Sequence, residues 1–392
     1  MRILSGLILL ILLAAGCGGD GAPDGGVQGV TSDTIVLGSH NDLSGPLATH
    51  GVPLSRGARM RFKQANSEGG IHGRNIRFIV EDSAYQVPLA VKATNKLLNV
   101  DKIFAMVGAI GTPHNNAVMA RMFERNVPNL FPATAAVSMY EPLHPLKFSY
   151  FVSYRDQVRA GLAFMVDRYD VKRVCLQAVA NDYGQESVVG FELAVTELGL
   201  EPQYVGRHKG TETDFAGTVA GIKNAGCELL FLGPFIKDAI LIYNSARDAG
   251  WDGPVISNHV GYADEISEAE GMDGFYAVAP FRLPDFQAET AADSWVGQWY
   301  QEYNELFGER PPGQAMAGWL AADLTVAALK AAGPELTTAG FVAALEDINQ
   351  YEDPFGGATL SFSTTKHQGA NYLNLYQVQQ GKWQTVATEL PY

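Results

Sequence analysis

From residue 33 onward, short apolar runs alternate with segments of helical period, and nothing else in the chain restricts its fold so strongly. "TIVLGSH", "NIRFIVEDS" and "KIFAMVGA" read as strands. Between them, "PLSRGARMRFKQAN" sets Leu54, Ala58, Phe62 and Ala65 at helical spacing. "VPLAVKATNKLLNV" does the same with Ala90, Ala93, Thr94 and Leu97. A helix opening at Thr112-Pro113 and the strand "VPNLFPA" follow. Strand–helix units repeated at this length build parallel sheets covered by helices on both faces. The pattern restarts at "VKRVCLQAVA" and runs through "CELLFLG" to "GPVISNH", so two α/β lobes in series are expected. Beyond "GFYAVAPFRLPD" come three helix-like segments, 288–307, 315–332 and 338–348. The tail then alternates apolar and polar residues around "QQGKW", which reads as a hairpin. A chain that returns over two finished lobes ties them together more than once. The expected fold class is therefore α/β, two doubly wound parallel-sheet lobes joined by a three-segment hinge with a ligand cleft between them.

The N-terminus reads as a targeting segment. Arg2 precedes "ILSGLILLILLAA", an apolar run too short to span a bilayer, and small residues follow at once. The end of that run, "LLAAGC", resembles a bacterial lipobox, although Ala14 stands where Leu is usual. Residues 1–16 are expected to be a signal peptide, Cys17 the lipidated residue, and 17–32, rich in Gly, Asp and Pro, a flexible linker. The chain is expected outside the cytoplasmic membrane, tethered by lipid to the inner membrane, the outer membrane or the cell surface. The periplasmic side is the favoured location. A formal net charge of −14 argues against nucleic acid as a partner. Cys175 and Cys227 are the remaining cysteines. Both sit at edges of apolar runs, which favours buried free thiols, while an exported chain leaves a disulfide open. The eight histidines show no ligand spacing, so neither a metal site nor a cofactor is expected.

Ligands of open parallel sheets sit beyond the carboxyl ends of the strands. There, "VGAIGTPHN" combines the small residues Gly108, Ala109 and Gly111 with Thr112-Pro113, the order of an N-cap followed by a first-turn proline. "FPATAA" supplies a second small, polar-tipped edge. Together they would cradle a carboxylate on backbone donors without a cationic side chain. No G-x-S-x-G elbow, no Walker loop and no G-x-G-x-x-G fingerprint between a strand and a helix occurs. Asp182, His259 and Glu265 have no nucleophile beside them, so no catalytic residue is assigned and the chain is read as a non-enzyme.

Eight stretches in order, among them "LSGPLATHG", "ANSEGGIHGR", "MVGAIGTPHNNAV", "VPNLFPATAA", "VANDYGQES" and "TDFAGTVAGIKNAGCELLFLG", resemble the type I periplasmic solute-binding proteins of ATP-driven importers. The resemblance is to the leucine/isoleucine/valine-binding family. It spans about Asp33 to the C-terminus. It implies a lobe one of 33–150 plus 280–354 and a lobe two of 151–279 plus 355–392. It also implies that Thr112, Ala133, Thr134 and Ala135 hold the ligand's carboxylate. Tyr183 would swing onto the ligand from lobe two, Phe235 would add an aromatic wall, and His50 falls where an aromatic is common. Amino-acid binders place a carboxylate for the ligand's ammonium near Asn258 and His259. Here His259 stands at or beside that position, and the nearest acids, Asp264 and Glu265, come later. The implied partners are a small carboxylate-bearing solute, branched-chain amino acid-like or an aromatic or aliphatic acid, and permease and ATPase subunits. The chain would act as a monomer. A sensing receptor without transport, or an extracellular α/β enzyme, are the alternatives.

Overall fold

β1 (Thr34–Asn41), β2 (Asn75–Asp82), β3 (Ala105–Val107), β4 (Asn129–Leu130) and β5 (Lys147–Phe148) form one parallel sheet in the order β2-β1-β3-β4-β5. They belong to a computed structural model that describes residues 26–392. The expected signal peptide, Cys17 and the first part of the linker lie outside the described residues. The end of that linker is not free. Gln28 donates to the Ile103 carbonyl at 2.9 Å, and Val30 bridges to Ile35. The sheet is clothed by α1 (Ala48–Ser67), α2 (Val87–Asn99) and α3 (Thr112–Phe123).

The second sheet has the order β12-β11-β10-β9-β8-β6-β7. Its parallel part comprises β6 (Arg173–Val179), β7 (Glu201–His208), β8 (Leu229–Gly233), β9 (Val255–Ser257) and β10 (Tyr276–Ala279). The expected hairpin, β11 (Leu373–Gln379) and β12 (Lys382–Leu390), adds an antiparallel edge. Around the sheet lie α4 (Tyr154–Tyr169), α5 (Asp182–Glu197), α6 (Ala216–Asn224), α7 (Ile236–Asp248) and α8 (Asp264–Glu268). Read from β7, the second sheet repeats the strand order of the first, which puts one topological switch point in each lobe, at β1/β3 and at β6/β8.

Between β10 and β11 the chain returns to the first lobe as α9 (Phe286–Ala291), α10 (Trp295–Phe307), α11 (Gly313–Ala331) and α12 (Thr338–Glu346). α11 lies against α1 with backbones in contact. A side chain at Gly57 would strike the Ala315 carbonyl, and one at Gly318 would strike that of Leu54. Arg61 pairs with Asp323 at 2.5 Å, and the Trp319 indole donates to Gln64 at 3.0 Å across the same seam. Helix α11 is thereby locked to lobe one and carries one wall of the cleft.

Three expectations need correction. The segment expected as one helix over 288–307 is two, broken at 292–294 where Asp293 takes a left-handed φ of 48° and Ser294 caps α10. Helix α4 was not expected at all. Its Ser153 accepts the Asp156 amide at 3.0 Å, and Val158, Leu162 and Met165 lie on its buried face. Cys175 and Cys227 form a disulfide rather than two free thiols, with Cα atoms 5.8 Å apart. The pairing arises because β6 and β8 are neighbours in the sheet, a fact of topology and not of local pattern.

Candidate functional site

The small-residue platform forms at the end of β3. Gly111, with φ 95°, precedes α3 and no side chain caps the helix. Thr112 was expected to be the N-cap. It is instead the first helical residue, with Pro113 second, so its hydroxyl is not spent on the helix. That hydroxyl lies 2.6 Å from the hydroxyl of Thr134, and both residues are buried. Asn115 braces the loop by donating to the carbonyls of Ala109 (3.0 Å) and Gly111 (2.8 Å). Ala133 bonds back to Ala109 and bridges to Ile110, which holds the two strand ends together. Two hydroxyls and the first turn of a twelve-residue helix thus face one point, where the helix dipole favours negative charge.

Two adjoining cavities open from this platform. One, with about 380 Å³ of empty space including its open mouth, is lined by Thr112, Thr134, His50, Tyr85, Tyr183 and Phe235 among others. The next, with about 660 Å³ including its open mouth, continues past Ala133 and Tyr154 to Phe151, His259, Tyr262, Phe281 and Ala317. They share His50, Ile110, Ala133, Tyr154 and Val260. Of the residues proposed from sequence, Thr112, Ala133, Thr134, His50, Tyr183, Phe235 and His259 all line this space. Ala135 does not; it is buried and its carbonyl accepts the Tyr154 amide at 2.9 Å.

The lobes meet across the cavities. Asn116 on α3 donates to Asp182 on α5 at 3.0 Å. Tyr85 lies edge-on to Phe235 with ring centroids 5.8 Å apart. Tyr183, at the start of α5, donates to the Pro234 carbonyl at 2.7 Å and to Asn258 at 3.2 Å, and packs edge-on against Tyr154. Its ring is therefore a fixed wall, with burial holding the phenol neutral.

His259 is stacked between Phe151, at 4.6 Å, and Tyr154, at 5.1 Å. The Gln157 carbonyl oxygen accepts the His259 amide at 2.8 Å, which directs the Gln157 NH₂ group toward Nδ1 at 2.9 Å. Nδ1 also lies 3.1 Å from the Gln157 side-chain oxygen, so one glutamine holds both the backbone and the ring of His259. Burial lowers the His259 pKa to about 3 and that of His50 to about 4, so both rings are neutral at physiological pH. In the unfolded chain a histidine protonates near 6.5. A base depressed on folding therefore costs stability as pH falls below that value, increasingly down to the folded pKa. His259→Gln should lose less thermal stability between pH 6.5 and 4 than the native chain, as read by melting curves across that window.

Among the described residues, no Asp, Glu, Lys or Arg lines either cavity. The acids nearby in the fold are engaged elsewhere. Asp42 accepts the amides of Gly45 and Leu47, Glu186 pairs with Arg155 at 2.8 Å, and Asp264 faces Arg310. Among the described residues no three His, Cys, Asp or Glu stand together as a metal site. Sequence reading missed Tyr85, Phe151, Tyr154, Phe281 and Ala317. Tyr85 follows the carboxyl end of the strand "NIRFIVEDS", on the side where a ligand is expected, whereas the others sit in connections or on α4 and α11.

A periplasmic binding protein family model matches residues 34–382. The leucine-, isoleucine-, valine-, threonine- and alanine-binding protein of Pseudomonas aeruginosa is 22% identical over 253 residues, covering 64% of this chain and 68% of that protein. Among solved structures, a branched-chain amino acid ABC transporter protein from Thermus thermophilus with bound valine superposes with a TM-score of 0.83 at 19% identity, covering 92% of this chain and 97% of that one. The fatty acid ABC transporter substrate-binding protein from Thermomonospora curvata gives 0.83 at 21% identity, covering 93% and 94%. The same two-sheet architecture recurs in both, and the family model runs from the first strand into the last hairpin: this chain belongs to the periplasmic binding protein family.

Proposed function

We propose that this chain is the extracytoplasmic solute-binding component of an ATP-driven importer, and that it captures a small solute by its carboxylate between the two lobes. The observation that carries the reading is the platform at α3: paired hydroxyls of Thr112 and Thr134 at a helix N-terminus, facing a cleft walled by neutral side chains. Valine and fatty acids, named for the two structural neighbours, differ in most respects but share a carboxylate and an apolar tail. That shared chemistry matches the platform and the apolar chamber beyond it.

Capture proceeds by closure. The chain passes between the lobes after β5, after β10 and before β11, and these three segments are read as the hinge; residues just ahead of the last crossing stay with lobe one, where His367 stacks on Phe148 and Gln368 bridges to Ser149. A ligand that touches Thr112 from lobe one and Tyr183 and Phe235 from lobe two selects the closed form, which then docks on the permease. Residues 1–32 supply export, a lipid on Cys17 and a tether, keeping a monomer near its membrane partners. Turnover of the ligand is not part of the mechanism, since no nucleophile or base lines the cleft in a paired arrangement.

The test is a thermal-shift panel of amino acids, aromatic acids and short aliphatic acids on the full mature chain. At a hundredfold excess over Kd a ligand specific for the folded state adds about 2.7 kcal/mol. A clear rise in Tm with at least one acid class is expected. A well-folded protein that shifts with none of them would overturn the reading.

A further inference from the structure

We infer that the ligand is an elongated monocarboxylic acid without an ammonium group, whose apolar tail runs past Ala317 into a third cavity. This inference rests on the acid-binding reading above and names the ligand class for the same site. The third cavity is small, with about 290 Å³ of empty space counting its open mouth. It shares Phe151, Phe281, Gly313 and Ala317 with the main chamber, and its far wall is Tyr150, Met316, Leu320 and Phe355. The two cavities adjoin at the Phe151 and Phe281 rings, which pack edge-on with centroids 6.3 Å apart, and at the small side chain of Ala317, which lines both. One face of α11 lines the route from Gly313 to Leu320, seven residues or roughly 10 Å of helix. Platform, chamber and third cavity thus lie in series, and a side chain as short as that of valine leaves the last of them unused.

Among the described residues the one carboxylate on the third cavity is that of Asp353, and it is taken by the turn that follows it. The Phe355 amide donates to it at 2.9 Å, and the Gly357 amide also bonds to it. Asp353 therefore holds a turn and offers no cation-binding pocket for an ammonium placed near the platform at the other end. A buried ammonium needs an anionic or strongly accepting partner. The nearest candidates by sequence, Asp264 and Glu265, line neither cavity, and Asp264 faces Arg310 at 3.4 Å.

The experiment is calorimetric titration of the full mature chain with butanoate, hexanoate, octanoate, 4-phenylbutanoate, 4-methylpentanoate and L-leucine, repeated on Ala317→Leu. Affinity should climb about fourfold per added methylene from butanoate to octanoate. 4-Methylpentanoate, which is leucine without its amino group, should bind at least tenfold more tightly than L-leucine. Ala317→Leu fills the junction and should weaken octanoate and 4-phenylbutanoate at least tenfold more than it weakens butanoate. Should the variant fail to fold, the chain-length series on the native protein decides alone. Equal affinity for butanoate and octanoate, or leucine binding as tightly as 4-methylpentanoate, overturns the inference and leaves the acid-binding reading standing. Binding of none of the acids by folded protein overturns both.

Discussion

Thr112→Val is expected to weaken binding of a carboxylic acid roughly thirtyfold, equivalent to about 2 kcal/mol for one charge-assisted hydrogen bond. Valine keeps the shape of threonine but removes the hydroxyl that faces Thr134 at 2.6 Å. The helix itself should survive, because Thr112 does not cap it and Gly111 makes the turn. The change therefore separates binding from folding. Titration of the variant should show the affinity loss with a melting temperature close to that of the native chain. An unchanged affinity would mean that the carboxylate lies elsewhere in the cleft. The Thr134 hydroxyl keeps the Ala136 amide, at 3.4 Å, as a partner, and Thr134→Val in addition should cost less than a second full increment of affinity, as coupled groups do.

Loss of the disulfide should be the largest effect on stability and should leave binding intact. Cys175 and Cys227 close a loop with a sequence separation of 52. The loop-entropy account gives about 4 kcal/mol for a loop of that size. In a chain of this length that corresponds to a fall in Tm of roughly 5 to 10 °C. Both cysteines lie in the second lobe and neither lines the cleft. Melting curves with and without reductant, and of the Cys175→Ala, Cys227→Ala double variant, should agree in the size of the drop. Acid affinity of the reduced protein at a temperature where it stays folded should match the oxidised protein within twofold. A melting temperature indifferent to reductant would remove the disulfide from the stability account.

The fold was largely legible because its determinants are local and periodic. Strands such as "TIVLGSH" and helices such as α1 and α2 carry their own spacing, and the restart at β6 repeats the strand order of the first sheet. What escaped was set by neighbours distant in sequence. The Cys175–Cys227 bond needs β6 beside β8. The break between α9 and α10 turns on Asp293 and Ser294, which a smoothly apolar helix pattern conceals. Helix α4 begins in the passage between lobes, ahead of "VKRVCLQAVA", where the alternation restarts. At the site, the platform at "VGAIGTPHN" could be found from small residues and a strand end. The role given to Thr112 was wrong in detail, because Gly111 with its left-handed φ makes the turn and so releases the hydroxyl. The walls could not be found that way. Phe151, Tyr154 and His259 form a stack only after the inter-lobe passage and β9 are brought together, and no spacing in the chain announces it.

The central claim is that the cleft grips its ligand by a carboxylate. The most direct measurement is paired calorimetric titration of 4-phenylbutanoate and its primary amide, 4-phenylbutanamide, on the full mature chain. The two differ in charge at one end and in nothing the tail contacts. Binding of the acid at least thirtyfold more tightly than the amide, with that ratio collapsing in Thr112→Val, is the predicted result. Equal affinity for acid and amide, or a preference that survives Thr112→Val unchanged, would contradict it.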